Sequence, residues 1–122
     1  MNSKEIVLDF LKLLVAGKID EGYDKYVDPN GKHHNQHYPK GFSALKQGMK
    51  DNHVQFPEKT INVKTALSEG DKVAVHSLVV LNPGNVQVAV VHVFRLKDGK
   101  IVEMWDCGMP LEDEQVNEDG VF

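Results

Sequence analysis

Two hydrophobic periods divide this chain. In the first stretch Ile6, Val7, Phe10, Leu11, Leu13 and Leu14 recur at helical spacing, while Lys4, Glu5, Asp9 and Lys12 are left for solvent. The spacing predicts a helix over residues 3–16, with Ser3 as its N-cap and Gly17 as its terminator. Asp20 is placed to cap a short second helix through Tyr26, which Asp28-Pro29-Asn30-Gly31 must stop. Lys32 to Gly41 has no apolar period and reads as a loop or a short irregular strand. Phe42, Leu45 and Met49 then give a third helix, from about Phe42 to Asn52, a buried stripe before Phe56-Pro57 breaks the chain.

From Thr60 the period changes. Thr60 to Leu67, Lys72 to Asn82, Asn85 to Lys97 and Lys100 to Cys107 are rich in Val, Ile, Thr and Leu, and turn residues separate them. These segments predict an antiparallel meander. Helices first and strands afterwards, without βαβ alternation, make the fold class α+β. The domain is expected over residues 1–109, followed by an acidic, loosely held tail over 110–122.

Composition narrows the classes. A chain of 122 residues that is 41% hydrophobic and 26% charged is expected to form one globular domain. A net charge of −4 and a single arginine, Arg95, argue against a nucleic-acid partner. Cys107 is the only cysteine, which excludes an intrachain disulfide and favours a reducing compartment. The N-terminus lacks the pattern of a signal peptide, and no apolar run approaches the ~20 residues of a membrane span. The expectation is a soluble cytoplasmic protein without a membrane partner.

The chemistry concentrates in the last hairpin, where His92 and Asp106 stand in an otherwise apolar sheet. Side chains alternate faces along a strand, so the turn decides whether the two meet. A two-residue Asp98-Gly99 turn pairs Lys97 with Lys100 and sends Asp106 to the face opposite His92. A three-residue Lys97-Asp98-Gly99 loop with Gly99 in a bulge sets His92 opposite Met104, with Asp106 on the same face. The three-residue loop is preferred because it leaves Arg95 and Glu103 together near solvent. Val91, Val93, Ile101 and Trp105 then form an apolar outer face, which predicts a homodimer through the sheet. His76 points away from His92 if Pro83-Gly84 is the turn, and a one-residue change would bring the two together.

Gly70-Asp71-Lys72-Val73-Ala74-Val75-His76, Val88 to Arg95 and, above all, Gly99-Lys100-Ile101-Val102-Glu103-Met104-Trp105-Asp106 resemble the SnoaL-like polyketide cyclase family. His34-Asn35 and Gly41 extend the resemblance, although Gln36-His37 replaces the proline expected after His-Asn. The resemblance implies the nuclear transport factor two-like fold: a cone-shaped roll with N-terminal helices on a curved antiparallel sheet, usually dimeric. It also implies that His92 and Asp106 act as acid/base groups in a cofactor-free aldol ring closure.

In that reading Asp106 removes a proton α to a carbonyl and His92 donates to the developing enolate oxygen. The substrate-binding candidates are His34 and Asn35 at the pocket mouth, with His76, Phe94, Met104 and Tyr26. The ligand is expected to be small and apolar or carbonyl-containing. Against this stands a bland alternative, in which Asp106 and His92 simply satisfy one another. A binding module that holds its ligand unchanged and a dimeric partner-binding domain are further alternatives. His33, His34 and His37 invite a metal, but their spacing matches no standard ligand pattern, and neither metal nor cofactor is expected.

Overall fold

A computed structural model describes residues 1–122. Three helices pack on one face of a five-stranded curved sheet: α1 (Ser3–Val15), α2 (Ile19–Tyr26), β1 (Val27–His33), α3 (Phe42–Gln55), β2 (Thr60–Glu69), β3 (Lys72–Leu81), β4 (Val86–Lys97) and β5 (Lys100–Pro110). The sheet order is β1-β5-β4-β3-β2.

Each helix is placed by its apolar stripe. Ile6, Val7, Phe10, Leu11 and Leu14 of α1 are buried, and with Tyr23 of α2 and Phe42 and Leu45 of α3 they meet Val73, Val75, Phe94, Ile101 and Met104 of the sheet. The cap of α1 is Asn2, one residue before the expected Ser3, and its side chain accepts from the Glu5 amide at 2.8 Å. Gly17 ends the helix with φ of +82°, a value that favours glycine, and the His53 ring lies where a Cβ would be.

Residues 27–33 depart most from expectation. The Asp28-Pro29-Asn30-Gly31 cluster stops α2 but lies within a strand, and β1 runs parallel to β5, so the sheet is not a pure meander. Pairing holds at Val27, Lys32 and His33 and shifts between Val27 and Lys32. An edge strand tolerates such a gap, because Pro29 has no amide to offer a ladder. The Asp28 carboxylate accepts from the Asn30 amide at 2.9 Å inside the irregular stretch.

The last hairpin has the two-residue turn, not the preferred three-residue loop. Lys97 pairs with Lys100, and both Asp98 (φ +52°) and Gly99 (φ +76°) are left-handed, as a primed turn requires. A β-bulge follows at once: Leu96 pairs with Ile101 but Arg95 pairs with Glu103, leaving Val102 without a partner. The extra residue reverses the alternation a second time. His92 therefore falls directly opposite Asp106, and Phe94 opposite Met104.

β5 runs to Pro110, past the expected end at Cys107. The ladder with β4 continues one residue further, where Leu111 N donates to Gln87 O at 2.9 Å, and the end of the tail then returns to the outer face of the sheet. The Phe122 ring lies 5.0 Å from that of His76, with Lys64 Nζ 5.1 Å above its centre.

Candidate active site

The inner face of β4 and β5 presents His92 and Asp106 side by side as Cα partners. No hydrogen bond joins them. Asp106 is held instead by Asn35, whose side-chain Nδ2 lies 3.1 Å from each carboxylate oxygen. The amide cannot turn over, because its Oδ1 accepts from the His37 N–H at 2.9 Å. That leaves only the NH2 end for Asp106.

The segment carrying Asn35 is pinned from both sides of β1. His33 is buried, and its Nε2 lies 2.7 Å from the Pro39 carbonyl oxygen. A carbonyl only accepts, so Nε2 carries the proton and Nδ1 accepts from the Asn35 backbone N–H at 3.1 Å. His34 faces the other way. Its ring stacks on Trp105 at 5.1 Å, and its Nε2 lies 2.6 Å from Glu103 Oε2. Arg95 Nε donates to the other oxygen of Glu103 at 3.0 Å. The His34 hydrogen bond, followed by that from Arg95, holds the Glu103 carboxyl below its ordinary value against the opposing effect of burial.

His92 packs parallel to Phe94, ring centres 5.8 Å apart, and its Nδ1 is buried without a hydrogen-bond partner. Burial pushes the imidazole below its usual value, and the charge of Asp106 offsets part of that. It is the neutral ring that faces the site at pH 7. Tyr23 of α2 also has a buried, unpartnered hydroxyl, pushed up first by burial and then by the Asp106 charge.

These groups border a cleft of ≈ 720 Å³ whose polar side is Asn35, Gln36, His37, His92 and Asp106 and whose apolar wall includes Val79, Val88 and Val90. A fixed carboxylate, a neutral imidazole and an apolar wall suit proton transfer on an uncharged ligand.

The sequence-based candidates divide accordingly. Asp106, His92 and Asn35 converge. His34 borders the cleft, but its imidazole is committed to Glu103 and Trp105 on the outer face. His76 is corrected to the outer face: it pairs with Val91 while Val75 pairs with His92. Its register is the one a Pro83-Gly84 turn implies. Tyr26 does not reach the cleft either, since its hydroxyl donates to Asp9 of α1. Phe94 and Met104 are on the inner face but belong to the closed core at 0% and 6% exposure. The bland pairing of Asp106 with His92 fails for want of a hydrogen bond between them. Of the residues passed over, Val79 and Val88 follow from strand alternation alone, whereas Gln36 and His37, singled out in the sequence as the departure from the family's proline, prove to line the cleft. No three His, Cys, Asp or Glu side chains are grouped as a metal site requires, and the His33 and His34 rings point to opposite faces.

Comparison with known proteins agrees with this architecture. The chain is similar to the nuclear transport factor two-like protein from Cytophaga hutchinsonii, with 14% identity, 89% of this chain and 91% of that one covered, and a TM-score of 0.73. It is similar to IdmH, a candidate polyketide cyclase from Streptomyces antibioticus, at 18% identity over 85% and 89% of the two chains, with a TM-score of 0.72. AclR, a candidate hydroxylase from Streptomyces galilaeus, matches at 24% identity over 88% and 91%, with a TM-score of 0.67. At these identities the likeness is one of fold. Among curated protein sequences none matches. The model of one sequence family does match, over residues 5–108, and by that match the chain belongs to the SnoaL-like polyketide cyclases.

Proposed function

We propose that this protein is a cofactor-independent enzyme that moves a proton next to a carbonyl, of the aldol cyclase, isomerase or dehydratase type. Asp106 takes the α-proton of a bound ketone, the C–H electron pair passes into the carbonyl, and His92 donates a hydrogen bond to the enolate oxygen. In a ring closure the enolate carbon then attacks a second carbonyl of the same ligand, and the proton on Asp106 returns to the new alkoxide. What supports this reading is the pairing of Asp106 with Asn35 rather than with His92, so that neither acid/base group is consumed by the other. IdmH, named for a polyketide cyclase, supports the substrate class only by analogy of fold.

The ligand in this reading is small, carbonyl-containing and largely apolar. A homodimer through the outer sheet face is part of it, since Leu67, Val91 and Met109 are exposed there, and a cytoplasmic location suits the free Cys107. The experiment is α-proton exchange of aryl alkyl ketones in D2O, followed by NMR. Saturable exchange that falls by about 10²-fold or more in Asp106→Asn is the expected result. Ketones that bind equally well to both proteins and exchange no faster than in buffer would convert the enzyme reading into that of a binding protein.

A further inference from the structure

A second polar side chain lies on the inner face beside His92. Ser77 of β3 is fully buried and pairs with Val90, and it shares its face with Val75, the partner of His92. β3 and β4 pair in unbroken register from Lys72↔Arg95 to Leu81↔Val86, so Ser77 and His92 are diagonal neighbours. The Cβ atoms of such neighbours are somewhat less than about 7–8 Å apart. As placed the two side chains do not hydrogen-bond, and a rotamer change at Ser77 or one bridging water would join them.

Both polar atoms lack a partner. Ser77 Oγ and His92 Nδ1 are each buried and without a hydrogen bond. The rest of this sheet patch, Val75, Val79, Val88 and Val90, has nothing to offer either of them, and the hydrogen bonds of Asp106 go to Asn35. The other unpartnered hydroxyl that feels the Asp106 charge, that of Tyr23, belongs to α2 and not to the sheet. Buried donors and acceptors are rarely left open, because desolvation is then uncompensated.

We propose that Ser77 is a positioning residue for His92: its hydroxyl donates to Nδ1 and holds the ring as the Nε2–H tautomer. One hydrogen bond satisfies both orphaned atoms. A neutral imidazole has one donor nitrogen and one acceptor nitrogen, and the partner of the buried one decides which is which. With Nδ1 accepting, Nε2 is left to meet the ligand as a donor, the role that an enolate oxygen needs. The opposite tautomer would aim a lone pair at that oxygen. Ser77 thus sets the polarity of the site without touching the ligand. The inference rests on the reading of His92 as a donor, but its test needs no turnover.

The experiment is long-range ¹⁵N–¹H NMR of histidine-labelled protein above the titration range of His92, with the His92 signals assigned by their loss in His92→Gln. The wild-type ring is expected as the Nε2–H tautomer. In Ser77→Ala the tautomer ratio moves by about five-fold toward Nδ1–H, the weight of one hydrogen bond, and Ser77→Thr restores it. A merely structural serine would change the melting temperature and leave the tautomer where it was. An unchanged ratio in Ser77→Ala, or a wild-type ring with its proton on Nδ1, overturns the proposal. If the added methyl of Thr is refused by the core, the Ala variant decides alone. Loss of ketone exchange in Asp106→Asn is read separately, so failure of one claim does not mask the other.

Discussion

The backbone oxygen of Val102 lies where a side chain on Gly31 would have to go. A Cβ built on Gly31 would sit 2.5 Å from Val102 O and 2.6 Å from a ring carbon of Phe42. Val102 is the bulged residue that restores the face of Asp106, so a glycine on the edge strand makes room for the bulge on which the site depends. Gly31→Ala is expected to destabilise by roughly 1–3 kcal/mol, since the nearer contact is backbone and cannot swing away. Chemical denaturation measures this, and a change within ~0.5 kcal/mol of zero would mean that β1 simply moves aside.

Asn35 should matter to chemistry more than to folding. Asn35→Ala removes both contacts to Asp106 and frees a carboxylate that the site needs in one orientation. A hydrogen bond to a charged group carries ~1.5–3 kcal/mol, so ketone exchange should fall by about ten-fold or more. Exchange at the wild-type rate would show that Asp106 needs no orienting partner.

The pH dependence of stability carries the signature of His92. Its folded-state value is depressed by burial, so below the ordinary imidazole value of 6.5 the unfolded chain binds the proton that the folded one refuses. Stability should therefore decline as pH falls through ~6.5 and keep declining until the folded-state value is passed. Thermal melts of His92→Gln should lack that decline between about pH 6.5 and 5. Glu103 acts lower on the scale. Its depressed carboxyl contributes stability above its ordinary 4.5 and loses it as pH falls further, so the two effects separate in pH.

On the outer face, Val93 pairs with Trp105 at the centre of the proposed dimer contact. Val93→Glu would bury a carboxylate in that contact and should give monomers by sedimentation, with the pocket chemistry of each chain intact. A wild-type protein that is monomeric at high concentration would remove the dimer from the proposal. The tail crosses this same face at Phe122, so a dimer must accommodate it or displace it.

Much of the fold follows from local pattern. The α1 stripe and the alternation of β3 each bury one face, and one face is all that periodicity encodes, while Phe56-Pro57 ends α3 as its composition requires. His92 and Asp106 were legible because a polar side chain within an apolar run needs a reason to be there, whereas Asn35, in a segment without apolar period, was marked only by the family resemblance. Nothing local in the sequence distinguishes Tyr26, the expected pocket residue, from Tyr23. Both are buried on α2, and only the packing of that helix sends one hydroxyl to Asp9 and the other toward Asp106.

Register was decided elsewhere in the chain. By itself the sequence determined the class of fold, the presence of the hairpin and the short list that contained both acid/base groups, while its charge pattern favoured a three-residue loop over the left-handed Asp98-Gly99 turn that forms. A two-residue turn read alone predicts that His92 and Asp106 point apart. The tertiary structure reversed that through a bulge at Val102, accommodated by Gly31 on a strand 71 positions away from it (102 − 31). Strand alternation propagates any single insertion to every later side chain, and the cost of the insertion is set by whichever backbone lies against it. A neighbour that only the fold supplies is invisible to a periodicity, which is why the face of Asp106 had to wait for β1.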